Sequence, residues 1–211
     1  MNSTDNSSAA GCQCAPPAPA GDPAGYRRIL WIALAANLAM FFVEFGVSLQ
    51  AGSAALLADA ADFLGDSGNY ALSLWALSHG LRARAGVALF KALVMIGFGT
   101  LVLGRTLWLI GDSSVPDPAS MGAVALLALA VNLSVAAMLF RFRGGDANMR
   151  SVWLCSRNDA ISNLAVLAAA IGVFGTGTSW PDLIVAGVMG TLALTSGSSV
   201  LRQALREWRD A

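Results

Sequence analysis

The sequence predicts an all-α membrane protein, a six-transmembrane-helix bundle with both termini in the cytoplasm, and three observations predict it. Hydrophobic residues make up 56% of the 211 and charged residues only 12%, about half the charged share of a soluble domain. Six apolar segments, each near the roughly 20 residues a helix needs to span hydrocarbon, follow one another from residue 29 onward. The basic residues gather at alternate ends of those segments.

The segments fall at 29–49, 53–80, 86–111, 120–143, 149–174 and 182–202. The fourth, MGAVALLALAVNLSVAAMLF, has one strongly polar residue, Asn132, and LIVAGVMGTLALTSGSSVL in the sixth has only Ser and Thr. Short connections predict that neighbouring helices pack antiparallel. Arg27 and Arg28 precede helix 1, and Arg82 and Arg84 lie between helices 2 and 3. Arg141, Arg143 and Arg150 bracket the 4–5 connection, and Arg202, Arg206 and Arg209 follow helix 6. The 1–2, 3–4 and 5–6 connections carry neither Lys nor Arg, so the positive-inside rule puts both termini in the cytoplasm.

Residues 1–25 are Ser, Ala, Pro and Gly without an apolar run. They are expected to form a disordered cytoplasmic tail rather than a signal peptide, with residues 26–211 as the transmembrane domain. The Cys12-Gln13-Cys14 pair in that tail is a candidate for soft-metal capture. The sequence stops shortly after helix 6, and no second, soluble domain is expected; LRQALREWRDA reads as a basic, amphipathic end to helix 6 at the membrane surface. A formal net charge of zero points to no nucleic-acid partner. Three cysteines and a single histidine, His79, exclude a disulfide framework and a His-rich metal loop. Lys91 is the only lysine, a bias that fits a GC-rich bacterial genome.

Function is to be sought where charge enters the spans, because each such charge costs about 2.5–3.5 kcal/mol on insertion scales. Helix 2 carries Asp59, Asp62 and Asp66 in LLADAADFLGD. Asp62 and Asp66, at i and i+4, project from one face about 6 Å apart. Two carboxylates so close repel one another unless a proton or a cation joins them, which suits a site that exchanges metal for protons. Helix 5 repeats the spacing with Cys155 and Asp159 in WLCSRNDAISN. Facing pairs supply four ligands, the number a tetrahedral Zn(II) site takes. One thiolate among carboxylates favours Zn(II), Cd(II) or Co(II) over Mg(II). The plainer alternatives are salt bridges from the acids to Lys91, Arg105 or Arg157, and Cys155 as a small apolar filler. Glu44 and Arg105 are expected to form a structural ion pair in the outer half, with Asp59 as an optional third member. Asn37, Asn69, Asn132 and Asn163 suit interhelical hydrogen bonds, with Asn163 placed to orient Asp159.

The stretches GSAALLADAADFLGDSGNY and DANMRSVWLCSRNDAISNLAV resemble the helix 2 and helix 5 signatures of the cation diffusion facilitator family. In the first, a His-or-Asp-x-x-x-Asp pair falls on Asp62 and Asp66. In the second, a His-x-x-x-Asp pair falls on Cys155 and Asp159, with cysteine in place of histidine. Asn37 and Glu44 also stand where the family carries similar residues. The resemblance implies efflux of a divalent metal ion from the cytoplasm, zinc foremost with cadmium, cobalt or iron as alternatives, and with protons moving in the opposite direction. It implies a tetrahedral site between helices 2 and 5, no prosthetic group, location in the bacterial inner membrane, and a homodimer. A truncated form is expected, since the family commonly carries a cytoplasmic domain after helix 6. Beside this reading stand a metal uptake pathway or channel, and a membrane metal sensor or subunit that does not transport.

Overall fold

The computed structural model describes residues 23–76, 81–112, 114–140 and 147–210, with the side chains of α5 described from Asp159 onward. Within them the chain forms six helices: α1 Pro23–Ala51, α2 Ala54–Ala76, α3 Leu81–Ile110, α4 Pro118–Phe140, α5 Ala147–Thr176 and α6 Trp180–Asp210. Residues 1–22 of the expected tail, with Cys12 and Cys14, and His79 lie outside the described residues, as do the side chains of Lys91, Cys155 and Arg157, while residues 23–25 already belong to α1. Five helices are long and apolar enough to cross a membrane; α2 is the exception by composition. Its three aspartates are the reason, and α2 is also the helix enclosed by most others, touching α1, α3, α5 and α6. Trp31, Phe42, Leu107, Trp108 and Phe174 face outward, an apolar exterior suited to lipid rather than water. The chain is a multi-pass membrane protein.

Local chemistry sets the helix ends. α1 stops where Gly52 takes a φ of 71°, and the Ser53 N–H reaches back to the Ser48 carbonyl at 3.1 Å, a glycine-terminated cap. α5 ends the same way at Gly177, φ 64°, whose N–H donates to the Val173 carbonyl at 2.8 Å. α4 starts with Pro118 behind Asp117, whose carboxylate accepts from the Ser120 N–H at 3.1 Å and from the Ser120 hydroxyl.

The start of α2 is closed from outside its own helix. Ser53 caps it by accepting from the Leu56 N–H at 3.0 Å. Asp182, on the first turn of α6, accepts from the Ala54 N–H at 2.8 Å, the Ala55 N–H at 3.1 Å and the Ser53 hydroxyl at 2.6 Å. All these groups are buried, so one carboxylate supplies the acceptors that the first turn of α2 lacks and lies against the positive ends of two helices. The Asp117 N–H also donates to the Ala51 carbonyl at 3.0 Å. The 1–2, 3–4 and 5–6 connections are therefore joined on one face, the face without Lys or Arg.

α3 and α6 make the most extensive pair. A Cβ on Gly190 would stand 3.0 Å from the Leu103 side chain, and one on Gly197 3.0 Å from Ile96. Small residues let the two backbones approach where no hydrophobic force drives association in lipid. Around α2 the apolar residues separate into layers. One cluster joins Ala54–Ala58 to Val102, Met121, Val173 and Leu183 at the capped end; another joins Tyr26, Leu30, Tyr70, Leu74 and Leu139 at the opposite end. The acidic residues lie between.

Asp182→Ala strands three buried donors and is expected to cost about 2–4 kcal/mol, read as a fall in the midpoint of thermal unfolding of detergent-solubilised chain. Asp182→Asn, which keeps one acceptor oxygen, falls between it and the wild type. The hydrogen bonds from Ser120 hold the Asp117 carboxyl below the ordinary aspartate value. Its cap is therefore fully present above the unfolded-state value and lost as pH falls through the lowered folded one. Hydrogen exchange at the Ser120 amide should accelerate, relative to its neighbours, only in that acid range.

Candidate metal centre

α2 carries its acids down the middle of the bundle. At 1.5 Å per residue, Asp59 lies about 8 Å below the start of α2, Asp62 about 12 Å and Asp66 about 18 Å, which places the last two near mid-bilayer. Asp66 and Asp159 are buried and Asp62 is half-buried. The Asp159 side chain meets that of Asp66 within hydrogen-bonding contact, and Asp62 acts on it electrostatically. The i, i+4 pair of α2 and the aspartate of α5 thus share one neighbourhood across the α2–α5 contact. Oδ2 of Asp159 is buried with no hydrogen-bond donor. Ionised carboxylates offer one another only acceptors, so such a contact is completed by a proton or a cation. Cys155, one turn earlier on α5, lies on a helix whose side chains are described only from Asp159. Among the described residues no three Cys, His, Asp or Glu side chains are closed into a metal-binding group.

A second polar layer sits nearer the capped end. Asp59, Asn132 and Asn163 are buried there, from α2, α4 and α5. With its amide oriented so that each atom meets its complement, Asn163 donates to Asp59 Oδ1 at 2.8 Å and Oδ2 at 2.6 Å. Its oxygen accepts from Asn132 Nδ2 at 2.8 Å. Glu44 of α1 enters the same layer and touches Asp59. Asn37 is buried on α1 and donates to its own helix, to the Ala33 carbonyl at 2.8 Å, while its Oδ1 meets no donor.

Two expectations change. Asn163 supports Asp59, not Asp159: spacing on one helix places the two side chains on a common face, but the amide reaches across to α2. Arg105 does not join Glu44 and Asp59, since the charges acting on that pair are carboxylates. It acts instead on Asp182, because α3 packs chiefly on α6. Asp182 itself was legible only as an acid in an otherwise uncharged segment, on the first turn of a helix; nothing local ties it to residues so distant in sequence.

The cation efflux transmembrane domain family matches residues 30–207 of this chain. The metal cation efflux system protein CzcD of Cupriavidus metallidurans is 27% identical over 87% of the chain. A cadmium, cobalt and zinc/H(+)-K(+) antiporter of Bacillus velezensis is 25% identical over 85% of it, and one of the same name from Bacillus subtilis is 25% identical over the same share. In each case the chain spans 62% of the relative's length. With the family matched across all six helices, this chain belongs to the cation efflux family.

Proposed function

We propose that the chain exports a divalent metal ion, Zn(II) foremost with Cd(II) and Co(II) as further substrates, from the cytoplasm in exchange for protons across the bacterial inner membrane. The observation that carries this reading is the Asp66–Asp159 contact between α2 and α5 at mid-bilayer, with Asp62 beside it. Acids gathered at that depth are arranged for a cation that comes and goes. The metal is cargo, held by Asp62, Asp66, Cys155 and Asp159, and no prosthetic group or catalytic step is needed.

The chemistry of exchange follows from the ligands. Carboxylates gathered in a low dielectric take up protons when the metal leaves and release them when it binds, as one coupled group. A cysteine thiolate as fourth ligand favours borderline and soft ions, in keeping with the cadmium, cobalt and zinc in the names of two relatives. The family resemblance extends the reading to a homodimer, which the mass of the purified particle would test.

Inside-out vesicles separate this reading from its rivals. Wild-type vesicles with an acidic lumen should accumulate Zn(II), and collapse of the proton gradient should abolish accumulation; a channel or an uptake route would not respond in this way. Asp66→Ala should lower the rate by more than the ~10–100-fold that loss of a supporting group costs. Full activity in Asp66→Ala would remove the site assignment. Cys155→His should shift the preference among Zn(II), Cd(II) and Co(II), and an unchanged order would take Cys155 out of the ligand set.

A further inference from the structure

Glu44 is the one acid of α1, and its position is not explained by the metal centre. It is 0% exposed, and neither of its oxygens meets a hydrogen-bond donor. Its carboxylate lies against that of Asp59, which is 1% exposed. The groups facing this pair can be named helix by helix. α2 contributes Asp62, whose charge reaches Glu44. α5 contributes Asn163, which donates to both Asp59 oxygens, and Asp159, on which Asp59 acts. α4 contributes Asn132, spent on Asn163. No Lys, Arg or His acts on either member of the pair among the described residues.

Two facing carboxylates, one satisfied by an amide and the other by nothing, are complete when a single proton lies between them. The protonated oxygen then donates to the ionised one, a charge-assisted bond stronger than a neutral one, as in other buried carboxyl dyads. Sodium or a second metal ion would need further oxygen ligands, and the neighbouring amides are committed to Asp59 and to each other. From this geometry we infer that Glu44 and Asp59 form a proton-binding dyad, distinct from the metal ligands and lying between them and the face that carries the 1–2, 3–4 and 5–6 connections.

The dyad deepens the antiport reading above and rests on it for its role. A divalent ion at Asp62, Asp66 and Asp159 puts positive charge within reach of Glu44 through Asp62. That disfavours the shared proton, which leaves to water as H⁺ and returns when the metal departs. Metal and proton then compete through charge rather than for the same oxygen atoms.

Protons released per Zn(II) bound, measured on the full-length chain in lipid nanodiscs by titration calorimetry in buffers of different ionisation enthalpy, test this. Glu44→Gln and Asp59→Asn should each bind one Zn(II) as the wild type does but release about one proton fewer; the second variant serves if the first fails to insert. The infrared signal of protonated carboxyls that is lost on Zn(II) addition should be smaller in Glu44→Gln than in the wild type, the remainder being that of the metal-binding carboxylates. An unchanged proton count in both variants, or an undiminished loss of that signal in Glu44→Gln, would overturn the dyad. Failure of the transport-site reading registers separately, as Asp66→Asn binding Zn(II) like the wild type.

Discussion

Burying a carboxylate away from water is among the costliest things a membrane helix can do, and the bundle arranges itself around several at once. Glu44, Asp59, Asp66 and Asp159 are buried in successive layers between α1, α2 and α5, with Asp62 half-buried beside them. Among the described residues, no Lys, Arg or His acts on Glu44, Asp59 or Asp159. Buried acids so placed draw stability from positive charge that comes as protons or as a metal ion. The proposed transport and the folding of the chain would then share one requirement: the bundle is most complete when something cationic is in it.

Holding that set in place falls largely to the end of α2. The Asp182 carboxylate of α6 ends an α2 whose own first turn has no acid to offer it, and the Asp117 N–H ties the next connection to the last turn of α1. α3 and α6 close tightly on glycines at Gly190 and Gly197. The acidic helix is thus anchored at one end to the α3–α6 pair, and elsewhere it leans on α1 and α5, which bring Glu44 and Asp159 to it. Apolar clusters lie above and below the acids.

Much of this could be read from the residues. Length, apolar runs and alternate arginine clusters are local properties, so the six helices and their order were legible. The i, i+4 spacing placed Asp62 with Asp66 on one face because helix periodicity dictates it. The partners of each acid were not legible, because they depend on rotation and tilt of one helix against the next. Thus Asn163 reaches Asp59 rather than Asp159, Arg105 turns to Asp182 rather than Glu44, and Asp182 reaches back to the start of α2. The wrong expectation for Arg105 came from matching charges by depth alone. Glu44 on α1 and Arg105 on α3 share a level, but α3 packs chiefly on α6 and more lightly on α2.

The central claim is that one metal ion joins α2 to α5 through aspartate carboxylates. X-ray absorption at the zinc edge on the full-length chain loaded with one Zn(II) tests it most directly. The account predicts four near neighbours, with oxygens at about 2.0 Å and one sulfur at about 2.3 Å, and a shell that changes in Asp159→Asn. A six-oxygen shell that is identical in Asp159→Asn would contradict it.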